Sequence, residues 1–166
     1  LLVDCSGSMY GRNIEEAKKA ATAFVERTLG PNRQVAVVAF PGGLVCPLTA
    51  DLRKLKEAIH GLTPIGSTPL AEALGTARDL MKSRAGVQRV FVALTDGHPD
   101  DPDAAQGEAH RIRSQGGRIV TIGVGQQVQP EFLRGLASRP DDYHFCSESV
   151  ELQGTFINLA TELAGV

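Results

Sequence analysis

Two apolar runs, residues 34–40 and 44–48, are separated only by Pro41-Gly42-Gly43. This spacing restricts the fold more than any other feature of the 166-residue chain. Parallel neighbours need a crossover of about a dozen residues, so the short turn forces the pair to run antiparallel. The second run contains Pro47, which has no N–H to donate to a ladder and therefore belongs at a sheet edge. Around this pair, strand-like and helix-like segments alternate, the pattern of an α/β sheet. Strands are expected at 1–4, 34–40, 44–48, 87–95, 118–124 and 143–146. Helices are expected at 13–29, 51–60, 68–84, 101–114, 130–137 and 150–164. The first helix repeats Ile14, Ala17, Ala21, Phe24 and Val25 on one face and stops at Gly30-Pro31.

The edge assignment dictates the strand order. A right-handed crossover puts the second strand beside the first. The antiparallel strand then closes its outer side, so the fourth must lie on the other side of the first. The result is a doubly wound, mostly parallel six-stranded sheet with one antiparallel edge strand and helices on both faces. Its order reverses at the first strand, and ligands of such sheets sit at the strand carboxyl ends beside that reversal. Asp4 and Asp96 fall at those two ends.

Asp4-Cys5-Ser6-Gly7-Ser8 follows the first strand. In an extended chain, alternate residues lie about 6.5–7 Å apart. Oxygens around magnesium sit about 2.1 Å from the ion, hence about 3 Å from each other. Asp4, Ser6 and Ser8 can share an ion only if the chain curls, which Gly7 is expected to permit. Thr68 precedes Pro69 and is expected to cap the helix that follows. Thr95-Asp96-Gly97 adds a second carboxylate. Two carboxylates and three hydroxyls are hard oxygen donors, suited to magnesium, with manganese or calcium as alternatives, and unsuited to copper or zinc. One open coordination position could accept an Asp or Glu carboxylate from a partner protein. Taken singly, each element is ordinary turn or cap chemistry; their conjunction at expected strand ends makes the case.

Asp4, Ser6, Ser8, Thr68 and Asp96 match every position of the metal-ion-dependent adhesion site (MIDAS) motif, Asp-x-Ser-x-Ser then a distant Thr then a distant Asp. The chain thus resembles von Willebrand factor A domains, above all their compact bacterial or intracellular members, and the resemblance spans essentially all of it. It implies a Rossmann-like sheet, a bound divalent ion that is usually magnesium, and protein recognition without catalysis.

Asp100, Asp101 and Asp103 read as a solvated loop with a helix cap, and His98 as a loop histidine. Tyr10 and Arg12 lie beside the first loop, where a ligand could touch them. Enzyme readings lack their motifs. No Gly-x-Ser-x-Gly surrounds Ser6 or Ser8, Ser6 stands where a haloacid-type phosphatase wants Asp, and no lysine follows Lys82 to complete a receiver site. Gly123-Val124-Gly125 fits a dinucleotide fingerprint only in part. A regulatory or scaffolding role beside an ATPase or chelatase is the alternative reading, and a metal-dependent phosphoester hydrolase a weaker one.

The net charge of −2 offers no basic surface for nucleic acid. No apolar run approaches the ~20 residues of a membrane helix. Residues 1–3 already read as the inside of a strand, so the first strand is expected to be truncated and the chain to be a single domain, 1–166, of a longer protein. The odd set Cys5, Cys46 and Cys146, with no leader-like segment, points to a cytoplasmic setting.

Overall fold

The computed structural model describes residues 1–82 and 85–165. Six strands form one sheet: β1 (Leu2–Asp4), β2 (Val35–Phe40), β3 (Gly43–Thr49), β4 (Val90–Thr95), β5 (Arg118–Val124) and β6 (Tyr143–Cys146). Their order is β3-β2-β1-β4-β5-β6, and only β3 runs antiparallel to its neighbour. Six helices connect them: α1 (Arg12–Thr28), α2 (Leu52–His60), α3 (Leu70–Leu80), α4 (Pro102–Ser114), α5 (Pro130–Leu136) and α6 (Leu152–Ala164). The order reverses at β1, as the Pro41–Gly43 turn and Pro47 require.

Pro41 and Gly42 alone make that turn, and β3 already begins at Gly43. Gly42 (φ 132°) and Gly43 (φ 75°) hold backbone angles that side chains resist. Val35 pairs with Thr49, Val37 with Cys46 and Val38 with Leu44, so each step inserts one extra residue into β3. Pro47 lies in the first of these bulges, where a missing N–H costs no ladder bond.

Some boundaries move from expectation. The helix expected at 68–84 runs Leu70–Leu80; residues 83 and 84 of that expectation lie outside the described residues. The fourth strand starts at Val90, and just before it the buried Arg89 guanidinium donates to the carbonyls of Met81 and Gln115. The segment from Ser149 to Glu151 is a 3₁₀ turn before α6, closed by reciprocal Glu148 and Glu151 capping bonds. Gly123 belongs to β5, where a Cβ would come 2.8 Å from Leu133 Cδ1. Close packing of α5 therefore accounts for this glycine.

Alternation along the strands splits the core into two layers. Val3, Val37, Leu94 and Ile122 face α1, α2 and α6, against Ile14, Phe24, Leu55, Ile59 and Phe156. Leu2, Val38, Phe40, Phe91 and Ile119 face α3, α4 and α5, against Leu70, Leu74, Ile112 and Leu133. Phe24 and Phe156 meet edge to face, 5.7 Å between centroids. Phe156→Ala, which removes a fully buried ring, is expected to lower the unfolding free energy by about 3–5 kcal/mol. Phe145→Ala, on a half-exposed ring of β6, should change it by less than about 1 kcal/mol. Urea titration measures both.

The amino ends of the strands are held by an ion cluster. Asp142, whose side chain is 1% exposed, accepts from Arg118 Nη2 at 2.6 Å and Arg139 Nε at 3.2 Å, while Arg118 also donates to Glu162 of α6 at 2.7 Å. Burial pushes the Asp142 carboxyl upward, but the bonds from Arg118 and Arg139 outweigh it, and the net shift is downward. A depressed folded-state pKa adds stability that is present above the ordinary Asp value and lost as pH falls through the folded value. Asp142→Asn should therefore be less stable than wild type near neutrality by about 2 kcal/mol. The gap should shrink below about pH 4, as urea titrations along a pH series would show.

Candidate metal centre

Four of the five candidate donors, Asp4, Ser6, Ser8 and Asp96, gather where β1 and β4 end side by side, with Leu2 opposite Ala93 and Val3 opposite Leu94. Asp4 ends β1 with no solvent exposure. One carboxylate oxygen, Oδ1, accepts from the Ser6 N–H at 2.8 Å. The other, Oδ2, accepts from the Thr95 hydroxyl at 2.7 Å and, at 3.4 Å, from the Asp96 N–H. The expected proximity of Asp4 and Asp96 thus takes the form of a direct bond between their residues.

The chain after Asp4 curls into a 3₁₀ turn, Gly7–Met9, with Met9 N–H donating to Ser6 O at 3.0 Å and Tyr10 N–H to Gly7 O at 3.2 Å. The expected role of Gly7 needs correcting. Its backbone is not left-handed, and an added Cβ would make only ordinary contact, 3.8 Å from Gly66 O. The turn itself supplies the curl, anchored by the fully buried Met9. It brings Ser6 Oγ within 3.1 Å of Ser8 Oγ, and Ser8 Oγ donates to Asp96 Oδ1 at 2.9 Å.

Thr68 makes no direct bond to this group but lies on a loop tied to it by backbone bonds. The loop between α2 and α3 is fastened to the first loop by Ile65 N–H to Cys5 O at 2.7 Å and Gly7 N–H to Gly66 O at 3.1 Å. Thr68 N–H donates to Asp100 Oδ1 at 2.9 Å, and Asp100 N–H to Thr68 O at the same distance. Thr68 is not the cap of α3. The helix begins at Leu70, two residues inside the expected 68–84, with Pro69 in the cap position, and no side chain caps it.

Sequence reasoning missed the bond of Thr95 to Asp4 and that of Asp100 to Thr68, although Asp100 does lie exposed in the loop before the Asp101 cap, as expected. A hydroxyl at the carboxyl end of an otherwise apolar strand was the available signal for Thr95, since a buried hydroxyl needs a partner. For Asp100 the signal was redundancy. Asp101, directly before Pro102, caps α4 through the Ala104 N–H at 2.9 Å, which leaves Asp100 spare. His98 and Arg12 are exposed, as is Tyr10 at 82%.

Burial and then the neighbouring charge of Asp4 push the Asp96 carboxyl above the ordinary range, while the Ser8 bond opposes them. Two buried acidic side chains with hydroxyls at about 3 Å spacing form a donor set that a hard divalent cation can bridge. Among the described residues no three His, Cys, Asp or Glu side chains converge on a metal position. The hydroxyls are what would complete such a shell.

Fold and site together define a doubly wound α/β domain with an oxygen-donor cluster at its switch point. The family model for the von Willebrand factor type A domain matches residues 1–157, and the chain belongs to that family. It is 31% identical over 110 residues to the magnesium-chelatase 67 kDa subunit of Chlorobaculum parvum, covering 63% of this chain and 18% of that protein. It is 30% identical over 159 residues to the thrombospondin-related anonymous protein of Plasmodium falciparum, covering 86% and 28% respectively. The chain therefore spans less than a third of the length of either relative. Proximal thread matrix protein 1 from the mussel byssus, solved with a zinc-occupied MIDAS motif, superposes with a TM-score of 0.86 at 28% identity. That match covers 98% of this chain and 44% of the mussel one. No helix among the described residues is long and apolar enough to cross a membrane.

Thr95→Val keeps the shape of the strand end but removes the shortest bond to Asp4. It should destabilise the chelator-treated protein by about 1–3 kcal/mol, read from urea unfolding.

Proposed function

We propose that residues 1–166 form one von Willebrand factor A domain that serves a longer protein as a non-catalytic, metal-dependent binding module. Asp4, Ser6, Ser8, Thr68 and Asp96 would hold a magnesium ion, with manganese or calcium as alternatives. The observation that carries this reading is the contact run from Ser6 through Ser8 to Asp96, at 3.1 and 2.9 Å. These are the separations of neighbouring oxygens around one such ion, about 3 Å. When bound, the ion supplies a positive centre whose charge two carboxylates only balance, able to take an Asp or Glu carboxylate of a partner protein.

Exposed apolar side chains beside the donors support a protein partner. Tyr10 follows the 3₁₀ turn directly, and Ile65, 69% exposed, sits on the loop fastened to Cys5 and Gly7. Aromatic side chains with this exposure are enriched where proteins meet. A second reading, a regulatory or scaffolding subunit gripping an ATPase or chelatase-type partner, draws on the likeness to a magnesium-chelatase subunit. Both readings use the same ion site. A cytoplasmic setting accords with Cys5, Cys46 and Cys146, all buried free thiols. Burial, then the charge of Asp4, pushes the Cys5 thiol up to about 12 and keeps it neutral.

Calorimetry with magnesium tests the site. The intact chain should bind at millimolar ion or below, and Asp4→Ala should not. Ser8→Ala, on an exposed hydroxyl, should weaken binding by at least the roughly tenfold typical of losing an outer-shell partner. An intact chain that ignores millimolar magnesium, manganese and calcium would sink the proposal. Capture of partners with and without chelator, followed by identification, separates the two readings. Turnover of phosphoesters with magnesium or manganese would replace both with a hydrolase.

A further inference from the structure

The stretch between Gly61 and Pro69 contains no helix or strand, so regular backbone bonding does not place Thr68. Three attachments to the neighbouring loops do, beside the local bond from the Leu70 N–H to Thr68 O at 2.9 Å. Two of them, at Ile65 and Gly66, fasten the stretch to the loop that carries Ser6 and Ser8. The third is the reciprocal pair with Asp100: Thr68 N–H to Asp100 Oδ1, and Asp100 N–H to Thr68 O, both at 2.9 Å. Asp100 lies four residues after Asp96, on the connection between β4 and α4. This pair is therefore the direct tie between the loop that offers Thr68 and the loop that offers Asp96.

Asp100 has no competing duty within its neighbourhood. Asp101 caps α4, and Asp103 stands in the first turn of that helix. An N–H bonded to a carboxylate is held more firmly than one bonded to a neutral acceptor. The bond is exposed, and water would replace a missing carboxylate at small cost to the fold but without holding Thr68 in one place.

We propose that Asp100 is a positioning residue of the ion site, acting through Thr68 rather than on the ion. The inference rests on the reading of that site given above. It assigns to an exposed acidic side chain outside the five donors a share of the ion affinity, exercised by fixing the backbone of Thr68.

The test compares Asp100→Ala, Asp100→Asn and Asp103→Asn in the intact chain by magnesium calorimetry and by amide hydrogen exchange of the metal-free protein. Asp100→Ala should weaken magnesium by about tenfold and speed exchange at the Thr68 amide, with core-strand protection unchanged. Asp100→Asn keeps an Oδ1 acceptor without the charge and should recover most of the affinity. Asp103→Asn, which removes a charge from the same region without touching Thr68, should bind as wild type does. Wild-type affinity in Asp100→Ala overturns the inference. So does Asp100→Asn binding as weakly as Asp100→Ala, which would make the carboxylate a source of field alone. If wild type itself binds no divalent ion, the reading of the site fails and this inference falls with it. If wild type binds and Asp100→Ala matches it, the inference alone fails.

Discussion

Asp4 carries a carboxylate with no solvent exposure at the end of the central strand. Moving an isolated carboxylate from water into a protein interior is very costly. The burial is tolerated because the Ser6 N–H, the Thr95 hydroxyl and the Asp96 N–H all point at it. Those donors can converge only if β4 lies beside β1. That neighbour relation follows in turn from β3 closing the outer edge of β2, which the Pro41-Gly42 reversal and the bulge around Pro47 enforce. The chemistry at one end of the sheet thus depends on a turn and a proline at its edge.

The same buried carboxylate is what would draw a cation to the proposed site. Its hydrogen bonds satisfy geometry but add no full positive charge, and Asp96 brings a second acidic group close by. The upward push on the Asp96 carboxyl is the electrostatic trace of that crowding. The hydroxyls of Ser6 and Ser8 are already spaced for a shared ion, and backbone bonds from Cys5, Gly7, Ile65 and Gly66 hold their loops together. Donors arranged by the fold lose little further freedom when they bind, which favours affinity without adding contacts.

The sheet order, the two helical layers and the meeting of Asp4 with Asp96 were all legible in the sequence, because they rest on local signals that tertiary contacts do not override. A three-residue turn cannot span a parallel crossover, and apolar residues at helical spacing must face a core. Most of what escaped depends on partners remote in sequence. Thr68 has the composition of a helix cap, yet its backbone bonds to Asp100, 32 residues away, and α3 starts after it. Gly7 was expected to permit the curl, yet a local 3₁₀ turn anchored by buried Met9 makes it with backbone angles open to other residues. Thr95 does end its strand as expected, but its bond to Asp4, 91 residues distant, leaves no local trace. Capping and turn preferences describe isolated segments, and for Thr68 and Thr95 a bond remote in sequence sets the outcome.

The five candidate donors come from three chain segments, and every pair of segments is tied directly. The first loop is bonded to the second through Gly66 and Ile65, and to the third through Ser8 and Asp96; the second and third are bonded through Thr68 and Asp100. A triangle of ties differs from a chain of ties. Shifting one segment strains two attachments, so the site moves as a unit or not at all. An ion gripped by all three segments binds only the folded arrangement, and its binding free energy then adds to the stability of that arrangement. The tie between Thr68 and Asp100 is the one side of the triangle that rests on an exposed side chain outside the five donors, since the Ile65 and Gly66 bonds join backbone to backbone and the third side uses Ser8 and Asp96. Ion affinity should therefore respond most readily to changes along that side, where a side chain can be altered without opening the core.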